Sequence, residues 1–509
     1  MVRYFDGASA FLQQQQQKQQ QQNITLQLYS LLTFFKQHYH KMIDDRTHDN
    51  TDYSVIKKAG MSLGHASTGL LLPGVDATTR MEATRLCARD YLEHHTFFDD
   101  RGFHNHLNHH LLAVFTMGGS AERLQTIFDL NKTIERPLAS FSNDLIITPE
   151  NYRDHLADEM CYSAYVNFFY RQLEDAGKDW RSAAFNYTFD PQIFQHVMSG
   201  VYHPFIQLGY GLEFESKAIT AAALAQACVH TLSYKSLFSG ETFTEVCTNT
   251  SANNGNGFSL MQILDMIRED VLASDISYAE QPFTETNRAA AESLAIKYAK
   301  LWTVKSAKDA IDAKYGELLS VVALVYGSLT RPGHKVLLHF MLMHCLSSAY
   351  FLPIIFEFLS VDRQAKLLQA HCAVALEIFA IHGSPRLYVP PGLTAIDAQH
   401  VAAFTQPNSG NPWLEVFKKA IASNDLHVVK VVRSLWRGSL LNAFHNQSGG
   451  TGSYDMPPPI NWLYLAQLTT DTIQANYFKD VDPQTQEGKH YWIYGMVGCD
   501  KFWTEYSNV

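Results

Sequence analysis

Helical periodicity runs through most of this chain and constrains its fold more than any other feature. QLYSLLTFFKQHYHKMI, MEATRLCARDYLEHH, KAITAAALAQACVHTLSYKSLF and RAAAESLAIKYAKLW all place apolar residues three and four apart, on one face of an α-helix. HKVLLHFMLMHCLSSAYFLPIIFEFL and QAKLLQAHCAVALEIFAIHG are apolar on nearly every side, as helices inside a large core must be. Gly383 and Pro385 close the second of these. Period-two alternation is scarce, with HYWIYGMV the main temptation, and no fixed repeat suggests a solenoid. The pattern predicts a mainly α protein: a single large multi-helix domain with little or no β-sheet. Residues 1–22 carry a glutamine tract without an apolar face and are predicted to be flexible and dispensable. Residues 23–445 are expected to form the helical domain. Residues 446–509, opening with NQSGGTGSYDMPPPI, are expected to form a loop and a C-terminal cap packed on it.

Composition removes several functional classes. The 509 residues are 46% hydrophobic and 18% charged, a globular balance with a large core. A formal net charge of −10 argues against nucleic acid, whose phosphates need a basic face. No run of 18 apolar residues predicts a membrane span, and the N-terminus lacks a signal-peptide pattern. Seven scattered cysteines without a C-x-x-C fit neither a disulfide framework nor a zinc ribbon. These features predict a reduced cytoplasmic protein. Walker, H-E-x-x-H and G-x-S-x-G motifs are missing, and Gly209-Tyr-Gly211 continues as Leu-Glu-Phe rather than as a dinucleotide-binding loop.

Histidine carries the chemistry that remains. FHNHLNHHLLAVFTMGGS sets His104, His106, His109 and His110 just before an apolar run. A buried imidazole needs a partner for each ring nitrogen, and either a metal or a hydrogen-bond network supplies one. If Asn105 caps a helix, His106 shares a face with His109 and His110, and spacing alone leaves open which ring points inward. His203 precedes Pro204 at an expected helix start. His339 and His344 lie five apart, on different faces of an apolar helix. In SNDLHVVKVVRSL, Asp425 is a plausible cap, and His427 and Lys430 share a face at i, i+3. Each feature also has an ordinary reading: a core histidine bonded to the backbone, or a lysine paired with Asp425 or Glu213. The acidic pairs Asp44-Asp45 and Asp99-Asp100 suggest a second class, a magnesium-dependent helical lyase of the terpene-synthase type. A non-catalytic helical binding protein is a third.

HNHLNHHLLAVFTMGGS, HPFIQLGYGLEF, AAALAQACVH, MLMHCLSSAYFLP and NDLHVVKVVRSL, in that order from about residue 60 to 440, resemble the questin oxidase-like family of fungal polyketide pathways. The resemblance implies an oxygenase that opens an aromatic ring of an anthraquinone-type polyketide, by a Baeyer–Villiger-type or dioxygenase outcome. It further implies independence from flavin, NADPH as a cosubstrate with O2, and a non-haem Fe(II) centre held largely by histidine. Carried over residue by residue, the ligand and catalytic positions fall on His106, His203, His344, His427 and Lys430. On this reading His106 faces the interior and His104 is solvent-exposed, while His109, His110 and His230 stand in reserve. An ammonium has no lone pair, so Lys430 serves as a ligand only when deprotonated or carbamylated by CO2. Asp425 or Glu213 is expected to steady a ligand histidine. Phe205, Tyr210, Phe214, Tyr350 and Phe351 are expected to line the substrate pocket, though ordinary helix packing accounts for most of them. The substrate is then a small aromatic molecule, with no nucleic acid or membrane partner. Gln207 and Leu208, after the His203 motif, depart from the family pattern and point to a different substrate choice.

Overall fold

A computed structural model describes residues 61–64, 72–138, 145–238, 257–273, 284–394, 410–445, 458–473 and 492–505, all within one compact unit, Val55–Val509. The glutamine tract, the first expected helix, the polar stretch with Asp44 and Asp45 that follows it, and most of the Gly/Ser-rich loop lie outside the described residues. The principal helices are α1 (Ala77–Glu93), α2 (Leu107–Thr116), α3 (Tyr162–Asp175), α4 (Ser199–Glu213), α5 (Lys217–Val229) and α6 (Leu260–Ala273). They continue with α7 (Glu285–Ala299), α8 (Lys308–Gly327), α9 (Phe340–Ala349), α10 (Val361–Ile381), α11 (Val428–His445) and α12 (Trp462–Thr472). Shorter helices such as Pro412–Ala422 join them. No strand forms among the described residues. HYWIYGMV contributes a single bridge, from Ile493 to His339.

Local chemistry sets the helix ends. The Asp76 side chain accepts from Thr79 N while the Thr79 side chain reaches back, a reciprocal cap that starts α1. Ser216 and Ser360 cap α5 and α10 more simply, their side chains accepting from Ile219 N and Arg363 N. Gly383, at φ +82°, stops α10 where the sequence predicted.

The alanine-rich α5 is buried from Ala218 to Val229, and its small side chains let α3 and α4 approach closely. Leu224, Leu111, Leu112 and Phe115 are likewise buried, each worth roughly 1.5–3 kcal/mol relative to exposure. The C-terminal residues pack on the same core: Trp462 sits against Gly438 of α11, and the Trp492 indole donates to Asp425. Helices α2, α4, α9 and α11 converge at its centre, where they bring the histidines together.

Candidate metal centre

His106 and His427 each stand immediately before a helix, α2 and α11, so backbone caps rather than helical periodicity set their positions. Asn105 Oδ1 accepts from Leu107 N at 2.8 Å. Asp425 Oδ1 accepts from His427 N at 2.8 Å and from Val428 N at 3.1 Å, which confirms the expected cap. His344 lies in the middle of α9. His203 follows a reversal inside α4, where Gly200, Val201 and Tyr202 all take left-handed backbone angles. For the β-branched Val201 this is a costly conformation, of the kind kept where function fixes it. Pro204 is tolerated because the helix effectively restarts there and needs no N–H from it.

The four rings converge in the buried interior. Ligand atoms of His106, His344 and His427 lie within 4.8 Å of one another. His203 joins them through its Nε2, 2.8 Å from His106 Nε2.

The backbone assigns the protons. His106 Nδ1 faces the His104 carbonyl at 2.5 Å, His203 Nδ1 that of Gly200 at 2.5 Å, and His344 Nδ1 that of Phe340 at 2.8 Å. A carbonyl only accepts, so each Nδ1 carries the hydrogen and each Nε2 presents a lone pair inward. Among the described residues His344 Nε2 and His427 Nε2 are buried without a hydrogen-bond partner, and the His106 and His203 lone pairs confront each other. Burial, reinforced by Lys430 for three of them and by His104 for His203, holds these imidazoles far below their ordinary pKa. His344 is pushed down to about 3. Neutral imidazoles with converging lone pairs suit a borderline divalent cation, and the donor set fits one.

Lys430 is buried one turn into α11, and among the described residues it makes no ion pair. Burial lowers its amine to about 7, against the opposing pull of Asp425. The ordinary alternative, a Lys430–Glu213 ion pair, does not form, because Arg433 takes Glu213 Oε1 at 2.5 Å and the Tyr350 hydroxyl at 2.7 Å. Glu213 therefore steadies Arg433 rather than a histidine. Asp425 steadies His427 through the backbone, since its carboxylate stands 3.8 Å from His427 Nδ1.

His104 is buried, not exposed. The Phe97–His104 bridge folds it inward, where it stacks on His203 at 3.9 Å and on His230 at 5.0 Å. Two of the three residues held in reserve, His109 and His230, have other hydrogen-bond partners. His109 Nε2 bonds Gln207 Oε1 at 2.5 Å, and His230 Nδ1 bonds the Thr231 carbonyl. His110 is buried beside Arg123 and is pushed down to about 3, mainly by burial. His339 bonds the Gly495 carbonyl, outside the cluster.

Tyr210, Tyr350 and Phe351 line a small cavity with Ile206, Ser347, Lys430, Arg433 and Ser434. Phe205 packs instead on His371, and Phe214 on Phe115 and Tyr210, so both belong to the core. Arg433 was not expected; its signal was the K-x-x-R spacing that puts it one turn beyond Lys430. Asp99 and Asp100 occupy a surface turn, where Asp99 pairs with Arg101 and the Asp100 side chain is 98% exposed.

The questin oxidase-like family model matches residues 103–435, a span that holds all five expected ligands. A Baeyer-Villiger oxidase of Paecilomyces divaricatus is 27% identical over 430 residues, covering 81% of this chain and 90% of that protein. A questin oxidase of Aspergillus terreus is 25% identical over 440 residues, 83% of this chain and 92% of its own. An oxidoreductase of Aspergillus parasiticus is 28% identical over 414 residues, 77% and 78% respectively. The protein is thus an all-α oxidoreductase. More narrowly, the chain belongs to the questin oxidase-like family.

Proposed function

We propose that His106, His203, His344, His427 and Lys430 hold a non-haem Fe(II), and that the enzyme uses O2 to open a ring of an anthraquinone-type aromatic polyketide without flavin. One observation carries this reading: the His106 and His203 Nε2 atoms stand 2.8 Å apart with both Nδ1 atoms committed to carbonyls. Two lone pairs at that distance repel unless a cation or a proton lies between them. Burial disfavours the protonated ring.

When bound, iron supplies the redox chemistry that lets triplet O2 meet a closed-shell substrate. The side chains do the rest. The carbonyls of His104, Gly200 and Phe340 fix three imidazole tautomers. The Lys430 amine, near 7, is partly neutral at physiological pH. Its lone pair attacks CO2, one proton leaves, and the resulting carbamate offers an anionic oxygen that four imidazoles lack. Tyr210, Tyr350 and Phe351 line a cavity of about 10 Å3 beside Lys430 and Arg433, so a polycyclic ring enters between them only as these walls move apart. Arg433 lines the same cavity, and its Nε, buried without a hydrogen-bond partner among the described residues, is a donor that a phenolic oxygen of the substrate would satisfy.

The test is turnover of hydroxyanthraquinones under ¹⁸O2 by purified enzyme of known iron content. Ring-opened product carrying ¹⁸O, formed without added flavin and in proportion to iron, is expected. Product formed equally by metal-free enzyme contradicts the reading. NADPH consumption separates the two outcomes. Inserting one oxygen atom and reducing the other to water requires two electrons per turnover from NADPH, whereas incorporating both atoms requires none.

A further inference from the structure

A second cavity lies away from the aromatic walls, between α6, α8, α9 and α10. It measures about 30 Å3, and its lining includes Leu264, Val322, Leu342, Cys345, Cys372 and Ala375. That is room for about two water-sized spheres, but a buried water needs two to four polar partners. This lining offers aliphatic side chains, the Phe379 ring and two thiols, which are weak donors and weaker acceptors. Water is therefore a poor occupant, and a small neutral molecule without hydrogen-bonding demands is a good one.

The position adds meaning to the size. Leu342 and Cys345 flank His344 on α9, and successive helical residues diverge by about 100° around the axis. The cavity and the imidazole centre thus lie on different sides of the same helix. Cys372, on α10 across the cavity, is raised well above its ordinary range by burial, so it stays protonated, and the thiol is the form that resists oxidation.

We propose that this apolar cavity binds dioxygen and stores it one helix away from the metal centre. The proposal rests on the oxygenase reading for the identity of the gas, though not for the existence of the site.

Xenon, an apolar atom detected by its anomalous scattering, is the probe. Crystals of the full-length, metal-loaded protein pressurised with xenon should show a peak between Val322, Cys345 and Ala375. Ala375→Leu, on the cavity wall remote from the ligands, should abolish that peak. The same variant should raise the KM for O2 about three-fold or more, with kcat at saturating O2 and the KM for the aromatic substrate unchanged. If Ala375→Leu fails to fold, the milder Ala375→Val should show a smaller rise in the same constant. Absence of xenon in the wild type overturns the cavity proposal. So does an unchanged KM for O2 in a filled variant, which would make the void a packing imperfection. Turnover that needs no O2 overturns the oxygenase reading, and the identity of the gas with it, even where xenon binds.

Discussion

Gly200→Ala tests how tightly the structure around His203 is held. Gly200 sits at φ +56°, and a Cβ there would lie 2.2 Å from His230 Nε2, 2.8 Å from His104 Cε1 and 2.9 Å from His104 Nε2. Its carbonyl also receives the His203 Nδ1 proton. Gly177 provides the control, since it has the same φ of +56° with nothing within 4 Å of its Cβ position. Gly177→Ala should therefore cost only the left-handed conformation, roughly 1–2 kcal/mol. Gly200→Ala adds an overpacking cost of about 1–3 kcal/mol, for a total of about 2–5 kcal/mol. For a unit of this size the unfolding entropy is roughly 1 kcal/mol/K, so the two variants should melt about 1–2 °C and 2–5 °C below wild type. Calorimetry gives the shifts, and metal analysis gives the second readout. Gly200→Ala should lose bound metal because the His104–His203 stack is displaced, whereas Gly177→Ala keeps it. Equal melting shifts with full metal occupancy in both variants would refute the packing argument.

Lys430→Arg should fold yet lose metal and activity together, since arginine forms no carbamate and stays protonated; an active, metal-loaded Lys430→Arg protein excludes Lys430 as a ligand. Arg433→Met leaves Glu213 buried without its cation and should cost about 3–5 kcal/mol in a denaturant melt, most of it recovered in the Arg433→Met, Glu213→Leu double variant; an additive double variant contradicts the pairing. For the metal-free protein, the unfolded histidines titrate near 6.5 while His344 in the fold is near 3, so the unfolded state binds more protons in that window. Stability should be full above about pH 6.5 and fall as pH drops through it. His344→Leu should flatten the slope by up to about 1.4 kcal/mol per pH unit, and an unchanged slope would show that His344 is not buried neutral.

The fold was legible because helix periodicity and caps are local. Asp425 before His427, Gly383 after α10 and the apolar run around His344 each announced their places. Burial of His344 was legible for the same reason, since it stands inside an apolar helix, whereas the inward choice of His106 over its neighbours came from the family resemblance and not from spacing. The fate of His104 was not, because it depends on a non-local event. Residues 94–104 fold back on themselves, with Phe98 N bonding the Phe103 carbonyl and His95 N the Arg136 carbonyl, and they carry His104 inward against α4. The left-handed turn at Gly200–Tyr202 was hidden likewise, since Val201 and Tyr202 do not favour it and only tertiary packing imposes it. The partner of Glu213 was hidden too, because whether it meets a histidine, Lys430 or Arg433 depends on how α4 faces α11. The order Tyr210, Phe214 along α4 says nothing of which ring lines a cavity and which fills the core.

The central claim is that four imidazoles and Lys430 converge on one metal ion, and anomalous diffraction at the iron edge tests it most directly. Crystals of protein purified with its native metal should give a single strong peak among His106 Nε2, His203 Nε2, His344 Nε2 and His427 Nε2, with density branching from Lys430 Nζ toward it. A protein that shows no peak there after loading with Fe(II), and keeps the His106 and His203 rings in direct contact, would contradict the account.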